Sequence, residues 1–336
     1  MSIHIGARLH AFVHGLFRPS DETETRELYQ KVERFFDRHD MRGEAGRRNL
    51  ITLIAEDIVS EFDLPFDHPQ FQRVETLVER IFYYEGLFLL PRVNWSDTHS
   101  VTDYWEIRDR LNEQRRLMED FDDTCSCLGW SVARCLDAIY TACPALLDTP
   151  GGKGGIIVPT TLMRGMSAPG DVAETIIASL FVDEMDETGL FNRHRKRLDR
   201  NIIEASGGNP ADPKSFNRTL KLPRKSDIKD PAELVETYLG GTPIVDFFDQ
   251  KINFTIPQSA RFEHHHIVAG SGHGKTQTLQ YLIGNDLPAV AEGRASVIVL
   301  DSQGDLIRNI ANLAEFAPGG PLRDRIVIID PTDVEW

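Results

Sequence analysis

The residue pattern best suited to chemistry is a glycine-rich loop that ends in lysine and threonine. It follows the apolar run His266 to Ala269 and reads Gly270, Ser271, Gly272, His273, Gly274, Lys275, Thr276, Gln277. Glycines adopt positive φ and let backbone N–H groups face a phosphate. A lysine here reaches the β- and γ-phosphates, and a threonine hydroxyl can ligate Mg²⁺. We therefore predict that residues 270–277 bind a nucleoside triphosphate with Mg²⁺. The absence of an Asn-Lys-x-Asp guanine motif favours ATP.

Two aspartates follow apolar runs and are candidate ligands for the same Mg²⁺. Asp301 follows Val297 to Leu300, and Asp330 follows Ile326 to Ile329. An NTPase needs an acidic residue at a strand end to hold Mg²⁺. Thr276 and Asp301 are therefore the predicted metal ligands, and Lys275 and Asp301 the predicted catalytic residues. The alternative is that each aspartate caps the next turn or helix. For Asp301 the capping role and the metal-ligand role are equally favoured, and for Asp330 the capping role is favoured. No general base is identified.

The elements around the loop predict an α/β arrangement. Predicted strands at residues 264–269, 296–300 and 325–329 alternate with helical stretches at 278–283 and 305–316. Strands that alternate with helices form a parallel sheet with right-handed crossovers. The fold class expected for the C-terminal part is thus a partial P-loop NTPase core. Two or three strands cannot complete a five-stranded core, so the chain is expected to be a truncated protein or a fragment.

The N-terminal part is expected to be an all-helical domain over residues 1–148. Its apolar residues repeat at helical spacing, as in Leu28, Val32, Phe35 and Phe36. Residues 149–229 are predicted to be a mixed region with a basic linker, and 230–336 the start of the ATPase domain. Asp230 and Glu233 predict a helix start there, and Asp171 with Glu174 predicts a capping box.

Composition and charge narrow the class of protein. The chain has 336 residues, 41% of them hydrophobic, and a net charge of -15, which is typical of a globular domain rather than a disordered one. No apolar run is long enough for a membrane span, and no signal peptide is visible. Four cysteines in such a chain indicate a reducing compartment. We expect a cytoplasmic protein.

Three further patterns have a structural and a functional interpretation. Residues 193–229 hold 11 basic and 4 acidic side chains; they could follow a phosphate backbone, with Phe191 and Phe216 as stacking residues, or form a solvated loop. The cysteines, spaced C-x-C-x7-C-x7-C, favour buried free thiols over a metal site. The triplet His264 to His266 is likewise more typical of a strand than of a metal site.

The residues around the loop resemble the HerA/FtsK superfamily, in its conjugative-transfer branch of type IV secretion coupling ATPases. The resemblance covers roughly residues 236–336. It rests on Arg261 to Ile267 leading into the loop, on the run Asp301-Ser302-Gln303-Gly304-Asp305, and on the lead-in stretches at 238–243 and 254–257. Ser302 stands where that family has proline. In that family Asp301 belongs to an auxiliary strand, and the Walker B acids lie further on.

This resemblance implies an ATP-driven motor that pumps DNA as a homo-oligomer, often a hexameric ring. It also implies a partner in the secretion or conjugation machinery, through which the protein associates with a membrane. The chain alone is expected to be inactive, with ATPase activity only when the motor is complete. The alternatives are an ATP-dependent switch that signals through the helical domain without pumping DNA, and a scaffold that no longer hydrolyses ATP.

Overall fold

The computed structural model shows a predominantly helical protein. It describes residues 20–147, 155–213, 219–257, 260, 263, 266–270, 272–302 and 304–329. The chain divides into two compact units. The first, the helical unit, comprises residues 1–150 and 159–253, and the second, the loop unit, comprises 151–158 and 254–336. No helix among the described residues is both long and apolar enough to span a membrane.

Eleven helices described in the helical unit form its framework. They are α1 (Asp21–Arg38), α2 (Glu44–Ser60), α3 (Pro69–Glu85), α4 (Val101–Glu119), α5 (Phe121–Ala142), α6 (Leu162–Gly165), α7 (Pro169–Leu180), α8 (Asp183–Thr188), α9 (Asn192–Ala205), α10 (Pro231–Leu239) and α11 (Pro243–Phe247). Short 3-10 turns lie at Pro144–Leu146 and Pro223–Lys225. The helices pack pairwise: α1 on α4, α2 on α3, α5 on α7, and α11 on α3.

The apolar stripes read from the sequence form the core of this unit. Val32 and Phe36 of α1 are fully buried, as are Val74 and Val78 of α3. Because these side chains recur every three or four residues, each helix presents one apolar face to its neighbours. Burial of such faces supplies most of the stability of helices of this length.

Side-chain caps fix several of the helix starts. At α4 the Ser100 hydroxyl accepts a hydrogen bond from the Asp103 N–H, and the Asp103 carboxylate accepts one from the Ser100 N–H. At α10 the Asp230 carboxylate accepts from the Glu233 N–H, as the sequence predicts. The predicted capping box at Asp171 and Glu174 is wrong. Helix α7 begins at Pro169, and both carboxylates instead bind Arg224, a partner from a distant part of the chain.

The predicted parallel sheet is also wrong. The sheet that the described residues form has two strands, β1 (Gly155–Thr161) and β2 (Lys251–Pro257), and these are antiparallel. The loop unit contains α12 (Lys275–Ala291), α13 (Asp305–Ala311) and 3-10 turns at Ala314–Phe316 and Arg323–Arg325. The described parts of the three predicted strands belong to no strand, and Arg325 lies in a 3-10 turn. The expected P-loop NTPase core is therefore not present among the described residues.

The physical reason is visible in the exposure of the predicted strands. Ile298 and Leu300 are 87% and 94% exposed, and Val327 and Ile329 are exposed to a similar extent. Strands of a parallel sheet are apolar because both faces are covered. Here helices α12 and α13 line one side of a cavity of about 530 Å³, which the apolar segments border. An apolar run predicts that its side chains are buried, but burial also requires other elements to cover both of its faces, and the described residues do not provide them here.

Candidate phosphate-binding loop

The glycine loop lies directly before a long helix. Gly274 precedes the first residue of α12, and it has a φ of 78°; Gly272 has a φ of 76°. Both values lie in the left-handed region that glycine enters without steric cost. Apart from its own backbone and its two chain neighbours, no described atom lies within 4 Å of where a Cβ would stand on Gly272. The two glycines therefore turn the chain into the helix and leave open space beside the loop. Ser271 lies outside the described residues.

The first turn of α12 offers unused hydrogen-bond donors. The N-cap residue is Gly274, which has no side chain to accept a hydrogen bond, and the first N–H groups of any helix have no partner within it. These N–H groups, with the positive end of the helix dipole, favour an anion. The Thr276 and Gln277 side chains are exposed. Neither makes a hydrogen bond within the described part of the chain.

Lys275 is folded back over the loop that precedes it. Its Nζ donates hydrogen bonds to the carbonyl oxygens of Ala269, at 2.9 Å, and Gly270, at 3.1 Å. The ammonium group is thereby held beside the backbone that the glycines shape. Lys275 is exposed, so an incoming phosphate can reach it from solvent. The lysine therefore lies beside the loop, and its role in binding phosphate stays a prediction.

His273 has a role that the sequence did not indicate. Its N–H donates to the Gly270 carbonyl oxygen at 3.3 Å. A Cβ on Gly270 would lie 2.8 Å from Nδ1 of the His273 ring, which is closer than van der Waals contact permits. The imidazole thus covers Gly270, and the absence of a side chain at Gly270 is what allows it. A pattern search treats His273 as a variable position, so only the geometry reveals this contact.

Gly270→Ala is expected to displace the His273 ring and to weaken ATP binding about fivefold, through a change in loop shape worth about 1 kcal/mol. His273→Ala removes the clash, so the double variant should bind ATP more tightly than Gly270→Ala alone. Titration of the four proteins with Mg–ATP checks this. Additive losses in the double variant would show that the two residues do not act on each other.

Asp301 makes a backbone contact that matches its structural interpretation. Its Oδ2 accepts a hydrogen bond of 2.8 Å from the N–H of Leu306, in the first turn of α13. The carboxylate therefore caps a helix, one of the two roles weighed from the sequence. The role of Asp301 as a Mg²⁺ ligand stays a prediction. Asp330 lies outside the described residues.

The basic segment is not the long loop that its composition suggests. Residues 192–205 form helix α9. Phe191, which directly precedes this helix, is fully buried and cannot stack on a base. Arg193 donates to the Tyr84 carbonyl oxygen, Arg195 pairs with Asp186, and Arg197 donates to the Gly240 carbonyl oxygen. Most arginines of α9 thus hold the helical unit together. Phe216 lies outside the described residues.

Cys135 and Cys143 are buried, and Cys125 and Cys127 are half-buried. None of the four forms a disulfide bond, and burial raises the pKa of the Cys125 and Cys135 thiols to about 12. A thiol with so high a pKa is a poor nucleophile and a poor metal ligand at neutral pH. Within the described residues no group of three or more His, Cys, Asp or Glu side chains could hold a metal ion. His264 and His265 lie outside those residues.

Comparisons with known protein families, with curated proteins and with solved structures find no match to this chain. The resemblance to the HerA/FtsK superfamily therefore stays a prediction. What the loop can do rests on its own geometry.

Proposed function

We propose that residues 269–277 bind the triphosphate of ATP together with Mg²⁺. The single observation that carries the proposal is the start of α12 at a glycine N-cap, entered through two left-handed glycines, with the Lys275 ammonium held over the same loop. This arrangement concentrates backbone N–H donors and one positive charge at a point exposed to solvent. Anions with several oxygens, such as polyphosphates, match such a set of donors.

Each residue of the loop has a defined part in this proposal. The N–H groups around Gly272 and Gly274 face the β-phosphate, and Lys275 exchanges its two carbonyl partners for oxygens of the β- and γ-phosphates. The Thr276 hydroxyl is free to ligate Mg²⁺. A Mg²⁺ ion held there would neutralise part of the phosphate charge. The proposal needs the loop and the helix, and it does not need a parallel sheet.

The wider function that we propose follows the resemblance: this chain is the ATP-binding segment of a motor that moves DNA. The motor would be a homo-oligomer, in contact with a secretion or conjugation apparatus. The described residues include no identified general base, so hydrolysis would depend on further residues. DNA contact would use groups other than the α9 arginines that bind acceptors within the helical unit.

One observation favours the alternative of an ATP-dependent switch. Arg193, Arg195 and Arg197 bind acceptors within the helical unit, which leaves Lys196 and Arg200 as the α9 cations without a partner among the described residues. With two available cations, helix α9 itself gives little electrostatic attraction for DNA. An ATP-binding protein that signals without DNA is consistent with this distribution of charge.

A titration with nucleotides and DNA separates the proposals. Mg–ATP should bind to the purified chain with higher affinity than Mg–AMP, which lacks the β- and γ-phosphates. Double-stranded DNA should raise ATP binding or turnover if the protein is part of a motor, and leave both unchanged if it is a switch. Equal affinities for ATP, AMP and adenosine would contradict phosphate binding by the loop.

A further inference from the structure

A groove in the helical unit has a composition that suits a peptide. It lies between α3 and α11 and has a volume of about 330 Å³. Leu77, Pro243 and Phe247 are buried residues that line it. Arg73 and Arg80 line it from α3. An apolar floor with cations beside it favours a ligand that carries both apolar and acidic groups.

The two arginines differ in how their charge is used. Arg80 pairs with Asp246 across the groove, and both side chains are about half exposed. Exposed ion pairs contribute little to stability, so a ligand carboxylate can compete with Asp246. Arg73 is exposed and makes no ion pair or side-chain hydrogen bond within the described residues. The groove therefore has one uncompensated positive charge and a second that is weakly held.

The spacing of the arginines limits the shape of the ligand. Arg73 and Arg80 are two turns apart on α3, which separates their Cα atoms by about 10.5 Å along the helix. A peptide in the polyproline II conformation places every third side chain on one side, at intervals of about 9.3 Å. Two acidic residues three positions apart in such a peptide therefore match the two guanidinium groups.

We propose that this groove binds an extended acidic peptide segment with carboxylates at positions i and i+3. One carboxylate binds Arg73 and the other displaces Asp246 from Arg80. An apolar side chain between them packs on Leu77 and Phe247. The inference is independent of the phosphate loop, because every residue it uses belongs to the helical unit.

A labelled peptide of sequence Ala-Asp-Leu-Pro-Asp-Ala tests the inference by fluorescence anisotropy with the full chain. Arg73→Glu should weaken binding about tenfold, since it replaces a charge-assisted hydrogen bond by repulsion. Arg48→Glu makes the same change of charge at an exposed arginine of α2 and should have no effect. Asp246→Asn should strengthen binding, because it frees Arg80 from its partner.

Two peptide controls test the chemistry of the ligand. Replacing both peptide aspartates by asparagine should abolish binding, and moving them to adjacent positions should weaken it. The inference is overturned if the acidic peptide does not bind, or if Arg73→Glu and Arg48→Glu bind it equally well. It is also overturned if Asp246→Asn leaves the affinity unchanged, because Arg80 would then take no part.

Discussion

Glu85→Ala is expected to destabilise the helical unit by about 3–5 kcal/mol, the usual cost of breaking a buried pair from one side. Glu85 and His194 are both buried, and they join the end of α3 to the start of α9. The Glu85 Oε1 atom lies 2.6 Å from Nδ1 of the His194 ring. Oε1 also accepts a hydrogen bond from the backbone N–H of His194, and Oε2 accepts one from the backbone N–H of Arg193. Alanine would leave these buried donors without an acceptor.

The charge of Glu85 makes this contribution depend on pH. Burial raises the pKa of its carboxyl, but hydrogen bonds from His194 and Arg193 and the charge interaction with His194 lower it by more, so the pKa lies below its ordinary value of 4.5. A carboxyl with a lower pKa in the folded state stabilises the fold above its unfolded pKa. That stability is lost as the pH falls through the folded pKa. The effect of Glu85→Ala should therefore be complete at pH 7 and smaller at pH 3.

Urea denaturation followed by circular dichroism at pH 7 and pH 3 measures both effects. Glu79→Ala, an exposed glutamate of the same helix, is the matched control and should change stability by less than about 0.5 kcal/mol. Glu85→Gln keeps an acceptor oxygen, so its loss of stability should lie between those of Glu85→Ala and Glu79→Ala. A loss for Glu85→Ala no larger than that of Glu79→Ala would show that the buried contact does not stabilise the unit.

Lys275→Ala is expected to weaken Mg–ATP binding about 10- to 100-fold, since hydrogen bonds to charged groups contribute about 1.5–3 kcal/mol. Its ammonium is held over the loop by hydrogen bonds to the Ala269 and Gly270 carbonyl oxygens. The protein should remain folded, because the side chain is exposed. Isothermal titration calorimetry gives the affinity, and circular dichroism checks the fold.

Lys196→Ala provides the control for this prediction. Lys196 is an exposed lysine of α9 that makes no ion pair or side-chain hydrogen bond among the described residues. Its removal changes the net charge of the protein by the same amount and should leave ATP affinity unchanged. Equal affinities of the two variants would mean that Lys275 does not contact the nucleotide.

Local patterns were sufficient to predict the apolar N-terminal helices and the glycine turn before α12, but not helix α9. The spacing of Val32 and Phe36 predicted a buried face, and the order Gly274-Lys275-Thr276 predicted a glycine turn into a helix. Both depend on residues within one or two turns of each other. The cap at Asp230 was predictable for the same reason.

Contacts between distant residues could not be predicted in this way. Arg224 binds Asp171 and Glu174 from 50 or more positions away, and Glu85 meets His194 across 109 positions. These tertiary partners override local preferences for caps and loops. The prediction of a parallel sheet was wrong for a related reason. An apolar run such as Val297 to Leu300 indicates that burial is favourable, but it does not specify which residues pack against it. The contact of His273 with Gly270 likewise depends on the three-dimensional path of the loop, which the sequence pattern does not specify.

The most direct test of phosphate binding by the loop is the response of its own glycine amides. In protein labelled with ¹⁵N-glycine, the signals of Gly270, Gly272 and Gly274 should shift when Mg–ATP is added and stay in place when adenosine is added. Glycines of the helical unit, such as Gly86 and Gly189, serve as internal references. No shift at the three loop glycines under saturating Mg–ATP, or shifts confined to the reference glycines, would contradict the account.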